Sequence, residues 1–119
     1  MRHSFRAVAL LGAIAVAGCG AEVTPSSTSQ PLALNLSASA TEFVPELLTA
    51  PAGTPVRVAF SNGSNEPHTL IFPEPISVNT GQLVQPGETI TVDLTTPTAG
   101  EYAFLCNVHE GMTGILRVN

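Results

Sequence analysis

Four residues in the last half of this 119-residue chain have side chains that bind soft and borderline metal ions. Cys106, His109 and Met112 fall within seven residues, and His68 lies 38 residues before Cys106. Two imidazoles and one thiolate with a weak axial thioether are the ligand set of a blue-copper electron-transfer site. Thiolate and thioether favour Cu(I), whereas imidazole binds both oxidation states, so the set suits transfer of one electron. The pattern predicts one type 1 copper ion per chain.

Each of these side chains also has an ordinary explanation when it is taken alone. Cys106 could be an inert buried thiol, His68 a core histidine and Met112 a packing residue. A disulfide between Cys19 and Cys106 is a further alternative, because exported proteins permit it. Zinc would use the same cysteine and histidines, but it prefers a stronger fourth ligand than a thioether. The joint order and spacing of the four residues favour copper.

The segments that must position these residues have the sequence pattern of β-strands. Apolar residues alternate with polar or small ones in five segments, and turn signals such as Asn62-Gly63 and Pro86-Gly87 separate them. The segments are 32–36, 56–60, 90–94, 102–106 and 116–118, with a short apolar run at 68–72. No convincing helix is present, and residues 46–50 allow one helical turn at most. We predict an all-β sandwich or barrel of about seven to eight strands.

The composition excludes several classes of function. Charged residues make up 11% of the chain, lysine is absent, and the formal net charge is −5, so a nucleic-acid partner is excluded. Neither a glycine-rich phosphate-binding loop nor a Ser-His-Asp arrangement is present, so we predict no enzymatic activity. The length allows one domain.

The N-terminal segment has the pattern of an export signal. Arg2, His3 and Arg6 precede an apolar run of 11 residues, which is too short to span a bilayer but suits a signal peptide. The run ends in Val16-Ala17-Gly18-Cys19, which resembles the bacterial lipobox. We predict a lipoprotein signal peptide over 1–18, a lipidated Cys19 with a flexible linker over 19–31, and the copper domain over 32–119. The protein would then be exported to the periplasm or cell surface and anchored to a membrane by lipid; ordinary secretion is the alternative.

From about Phe43 to Asn119 the chain resembles the cupredoxins of the plastocyanin and amicyanin type. The stretches that carry the resemblance are residues 51–62 (PAGTPVRVAFSN), 66–72 (EPHTLIF), 85–89 (QPGET) and 100–106 (GEYAFLC). The resemblance implies a Greek-key sandwich with His68, Cys106, His109 and Met112 as copper ligands. The two-residue gaps of the ligand loop are similar to amicyanin's short loop. Plastocyanins usually have Asn after the first ligand histidine, where it ties the ligand loops together, and Thr69 stands there in this chain.

The resemblance further implies a monomeric one-electron carrier with redox-protein partners and an electron exit at the ring edge of His109. Glu66, Glu74 and Glu110 are expected near that edge, where they would steer a basic partner such as a c-type cytochrome. They could equally be solvated surface acids. Two alternatives of other classes remain: a protein that stores copper or delivers it to an extracytoplasmic oxidase, and a plain adhesive β-sandwich.

Overall fold

The structure, a computed structural model, describes Gly18, Gly20 and residues 30–119. The predicted signal peptide apart from Gly18, the predicted lipidation site Cys19 and most of the linker lie outside the described residues. No helix in the described part of the chain is long and apolar enough to cross a membrane.

Nine strands form in residues 30–119, one or two more than the seven to eight predicted. They are β1 (Leu32–Ser39), β2 (Glu42–Val44), β3 (Leu47–Ala50), β4 (Pro55–Asn62), β5 (Ile71–Phe72), β6 (Val78–Asn79), β7 (Thr89–Thr95), β8 (Gly100–Leu105) and β9 (Thr113–Val118). One sheet has the order β2-β1-β4-β7 and the other the order β3-β9-β8-β5-β6. The predicted all-β sandwich is confirmed.

The core lies between the two sheets and is filled by the apolar residues of the alternating strands. Along β4 every second side chain is buried, and Val58 and Phe60 are fully buried. Phe43, Phe72 and Phe104 extend this packing: the Phe104 ring centroid lies 5.0 Å from that of Phe43 and 5.5 Å from that of Phe72. Burial of apolar side chains such as these is the dominant favourable contribution to folding. The period-two pattern therefore identified the core face correctly.

Two local predictions were wrong. Residues 46–50 were given at most a helical turn, but Leu47–Ala50 form β3, which pairs in parallel with β9. The run 68–72 was predicted as a strand, but only Ile71 and Phe72 are in β5, and His68 forms an isolated bridge with Val84.

The strand directions place the chemistry at one end of the sandwich. β4 ends at Asn62, β8 ends at Leu105 and β9 begins at Thr113, so the loops that carry the candidate ligands leave the sheets at that end. β1 runs parallel to β4, with Leu32 opposite Val56, so the chain enters the domain at the other end. We call the first end the ligand end.

Candidate metal centre

Three of the four predicted ligands meet at the ligand end. One donor atom each from His68, Cys106 and His109 lies within 4.8 Å of the others. Cys106 Sγ is 3.8 Å from His68 Nδ1 and 3.9 Å from His109 Nδ1. The two imidazole rings are 4.5 Å apart between centroids. The side chain of Met112 is buried beside the core with 1% of its surface exposed.

These separations fit a trigonal copper centre. Bonds of about 2.1 Å to nitrogen and about 2.3 Å to sulfur, opened by about 120°, put the two donor atoms about 3.8 Å apart. The sulfur–nitrogen distances of 3.8 and 3.9 Å match this spacing. The donor set therefore fits a copper ion, which two nitrogens and one thiolate would hold.

Backbone contacts fix the loop that carries Cys106, His109 and Met112. The Cys106 N–H donates to the Met112 carbonyl at 3.0 Å, which closes the loop between its first and last residues. Gly111 has a φ of 78°, in the left-handed region that a side chain disfavours. The short spacing between His109 and Met112 depends on that turn.

His68 is held from both its backbone and its ring. Its N–H donates to the Val84 carbonyl at 3.1 Å, and the Val84 N–H donates back at 2.8 Å. Its Nε2 lies 2.7 Å from Ser64 Oγ. When Nε2–H donates to this hydroxyl, the Nδ1 lone pair remains free on the side that faces Cys106 Sγ. His68 has no exposed surface, so water does not compete for it.

Thr69 contacts both the thiolate and the neighbouring loop. Its backbone N–H donates to Cys106 Sγ at 3.4 Å. Its hydroxyl donates to Asn107 Oδ1 at 2.7 Å and accepts from the Asn107 N–H at 3.2 Å. Thr69 thus ties the two ligand loops together at the position where plastocyanins usually have Asn.

The surroundings of Cys106 favour its thiolate. Burial raises the pKa of the thiol, but hydrogen bonds from Thr69, His109, Val108 and His68 outweigh burial and lower the pKa from 9.0 to about 6. The thiolate is the form that binds metal. The protein thus prepares its sulfur ligand before any metal arrives.

His109 is the candidate ligand that reaches the surface. Its side chain is 17% exposed, and its Nε2 lies 2.9 Å from Glu66 Oε2. The contact with Cys106 raises the pKa of His109, burial opposes this rise, and Glu66 adds to it. Nδ1 faces the sulfur, so the Nε2 edge is the part of the centre nearest to solvent.

The residues that hold the histidines were not predictable from the sequence. Ser64 has no predicted role, and Glu66 is predicted only as an acid near the centre that steers a partner or is solvated, not as a contact of His109. Both lie in the loop after β4, where the sequence shows an ordinary polar turn around Asn62-Gly63. A hydroxyl four residues before a predicted ligand histidine is too common in turns to identify such a contact.

Two of the three glutamates that were expected around the metal centre lie at the ligand end. Glu66 and Glu110 are exposed at the ligand end, next to or within the loops of the centre. Glu74 lies beyond Phe72, and β5 runs antiparallel to β8, away from Cys106. The expectation that Glu74 flanks the centre was therefore wrong.

Comparison with known proteins gives a consistent result. The cupredoxin-like domain family matches residues 7–118. The chloroplast plastocyanin of Hordeum vulgare is 31% identical over 130 residues, and the match covers the whole chain and 81% of that protein. The chloroplast plastocyanin of Chlamydomonas reinhardtii is 38% identical over 87 residues, covering 66% of this chain and 57% of that protein.

Among solved structures, auracyanin A, a blue copper protein from Chloroflexus aurantiacus, superposes with a TM-score of 0.65. The two sequences are 23% identical, and the match covers 76% of this chain and all of auracyanin A. At this identity the likeness concerns the fold.

Proposed function

This chain belongs to the cupredoxin family, as a protein of the plastocyanin type, and we propose that it is an extracytoplasmic one-electron carrier tethered to a membrane. His68, the Cys106 thiolate, His109 and Met112 would hold the copper ion, with the Met112 thioether as the weakest of the four ligands. Bound copper would supply the chemistry by alternating between Cu(II) and Cu(I). The single observation that carries the proposal is the spacing of 3.8 and 3.9 Å between Cys106 Sγ and the two Nδ1 atoms.

The protein's part is to hold the ligands still and keep water away. His68 and Met112 are buried, Cys106 is 4% exposed, and the ligand loop is closed by its own backbone. A site that changes little between oxidation states transfers electrons with a small reorganisation. This rigidity argues against storage or delivery, because a protein that releases copper needs ligands that open easily.

The partner surface would surround the His109 ring edge. Val108 is 44% exposed beside it, and Leu83, which precedes the bridge partner of His68, is 46% exposed. A small apolar contact allows fast release, and nearby charges accelerate encounter. We propose that the carrier is a monomer and that its partner is a basic redox protein such as a c-type cytochrome.

The copper proposal is tested by the visible spectrum and voltammetry of the copper(II)-loaded protein. We expect an intense thiolate-to-copper band towards the red end of the visible range and a reversible one-electron couple. Cys106→Ser should abolish the band, whereas Thr91→Val on the exposed face of β7 should leave it unchanged. A colourless copper complex would refute the proposal. A coloured protein without a reversible couple would favour storage or delivery.

The lipid anchor at Cys19 is a separate part of the proposal. It rests on the run Val16-Ala17-Gly18-Cys19 behind the basic and apolar segments. The chain enters the domain at the end opposite the metal centre, and β1 alone spans about 26 Å. This supports the anchor, because a lipid at the N-terminal side would leave the ligand end free to meet a partner. We expect the wild type to partition into detergent and Cys19→Ser to be soluble or unprocessed, with the same copper spectrum. A wild-type protein found wholly in the soluble fraction would refute the lipid anchor and leave ordinary secretion as the explanation of the N-terminal segment.

A further inference from the structure

The loop that follows β4 holds the outer nitrogen of both candidate ligand histidines. Ser64 Oγ lies 2.7 Å from His68 Nε2, and Glu66 Oε2 lies 2.9 Å from His109 Nε2. The two partners differ in charge: His68 is held by a neutral hydroxyl and His109 by a carboxylate. The centre is therefore asymmetric, with an anion on the side that faces solvent.

The backbone of Glu66 is fixed even though its side chain is exposed. Asn62, which is 1% exposed, donates from Nδ2 to the Glu66 carbonyl at 2.7 Å and to the Val84 carbonyl at 2.8 Å. The Glu66 N–H donates to Ser64 Oγ at 3.2 Å. The same buried amide thus fixes Glu66 and Val84, the bridge partner of His68. This arrangement holds the Glu66 carboxylate beside Nε2 of His109.

We propose that Glu66 is a positioning residue for the metal centre. Its carboxylate receives the Nε2–H of His109, which fixes the ring with Nδ1 towards Cys106 Sγ and makes the imidazole a stronger donor. A negative charge at this point stabilises the more highly charged oxidised copper over the reduced form, so Glu66 lowers the reduction potential. This inference rests on the proposed copper site and adds a residue to it.

The position of Glu66 also affects the surface that a partner meets. The Glu66 side chain is 65% exposed, whereas that of His109 is 17% exposed. A partner that approaches the ring edge therefore meets the carboxylate before it meets the imidazole. A hydrogen-bond donor or cation on the partner at this point would contact Glu66 directly.

Voltammetry of three variants of the copper protein tests the inference. Glu66→Gln removes the charge but leaves an amide oxygen in reach, and Glu66→Ala removes both. Glu110→Gln is the matched control, because it removes an exposed charge from the residue next to His109. We expect both Glu66 variants to raise the potential by a shift equivalent to about tenfold in relative stability, which is about 59 mV for one electron. The control should shift it by less than a third of that.

Nuclear magnetic resonance of the copper(I) protein separates hydrogen bonding from general charge. We expect the His109 Nε2–H to give a sharp, slowly exchanging signal in the wild type. The signal should persist in Glu66→Gln and disappear into solvent exchange in Glu66→Ala. Equal potential shifts in Glu66→Gln and Glu110→Gln, or an unchanged signal in Glu66→Ala, would overturn the inference. A wild-type protein without the blue-copper spectrum would instead refute the copper proposal.

Discussion

The Thr69 hydroxyl donates to Asn107 Oδ1 at 2.7 Å, and the Asn107 N–H donates back to the same hydroxyl at 3.2 Å. This reciprocal pair joins the residue after the first ligand histidine to the residue after the ligand cysteine. It links two loops that are 38 residues apart in sequence. Threonine at this position therefore performs the tying role that the resemblance assigns to asparagine, and its partner is a side chain of the opposite loop.

The Thr69–Asn107 pair should contribute measurably to the stability of the apoprotein. Thr69→Val keeps the shape of the side chain but removes the hydroxyl, and Asn107→Ala removes the acceptor. We expect a coupling of about 0.5–1.5 kcal/mol in a double-mutant cycle of urea unfolding. Thr91→Val, on an exposed strand surface, is the control and should change stability by less. The blue colour should survive Thr69→Val because the backbone N–H still reaches Cys106 Sγ. Additive single effects would contradict this prediction.

Most of the fold was predictable because the alternation of apolar residues reports directly on the buried face. β3 escaped prediction because Leu47 is 43% exposed although it is apolar, which hides the alternation of Leu48 and Ala50. Its partner β9 lies at the other end of the domain sequence, so no local pattern indicates the pairing.

The run 68–72 escaped prediction for a different reason. The backbone N–H of Thr69 donates to Cys106 Sγ and that of Leu70 to Thr80 Oγ1, so neither is available to a strand ladder. The Cys106 sulfur and the Thr80 hydroxyl thus take two hydrogen bonds that a regular strand would use. The four predicted ligands were identifiable because the domain has few soft or imidazole donors. Ser64 and Glu66 were not, because their types are common in turns.

Gly114 marks a point in the core where no side chain fits. A Cβ at this position would lie 2.3 Å from the ring of Phe104 and 2.8 Å from the carbonyl oxygen of Glu46. We expect Gly114→Ala to destabilise the domain by about 1–3 kcal/mol through overpacking, measured by the midpoint of urea unfolding. Phe104→Leu should partly rescue it, since a smaller side chain makes room for the methyl group. Equal destabilisation by Gly114→Ala in both backgrounds would show that the clash is with the backbone alone.

The thiol of Cys106 should titrate in the apoprotein well below its ordinary range. Its pKa is lowered from 9.0 to about 6 in the fold. Between these values the unfolded chain binds a proton that the folded chain does not, so this group makes stability rise with pH from about 6 to about 9. Below about pH 6 its contribution is lost.

The ultraviolet absorbance of the thiolate is the direct measurement of this pKa. The experiment uses apoprotein with Cys19→Ser, so that Cys106 is its single cysteine. We expect a midpoint near pH 6 and no such transition when Cys106→Ser is added. The pKa of His109 is raised, mainly by Cys106, so its stabilisation is present below 6.5 and is lost as pH rises. Cys106 and His109 therefore have opposite effects on the pH dependence of unfolding, whereas absorbance follows the thiol of Cys106 alone. A midpoint above pH 8 would contradict the prediction.

The distribution of charge favours electrostatic steering towards the ligand end. Both arginines of residues 30–119 are ion-paired on the strands, Arg57 with Asp93 and Arg117 with Glu101. Arg57 lies near the start of β4, and Arg117 lies near the end of β9, so both are remote from the ligand loops. Neither arginine therefore lies beside Glu66 or Glu110, and a basic partner would be attracted to the ligand end.

The second-order rate of electron transfer to a basic cytochrome should consequently fall as salt rises. The screening length is about 8 Å at physiological ionic strength and shortens as salt is added, so the attraction between these exposed acids and an approaching basic partner weakens. We expect Glu110→Gln to flatten the dependence of the rate on salt, and Glu101→Gln, at the far end of β8, to leave the slope unchanged. The slope is compared rather than the rate itself, because Glu66→Gln is also expected to change the potential and hence the driving force. A rate that is independent of salt, or that rises with it, would show that these acids do not steer the partner.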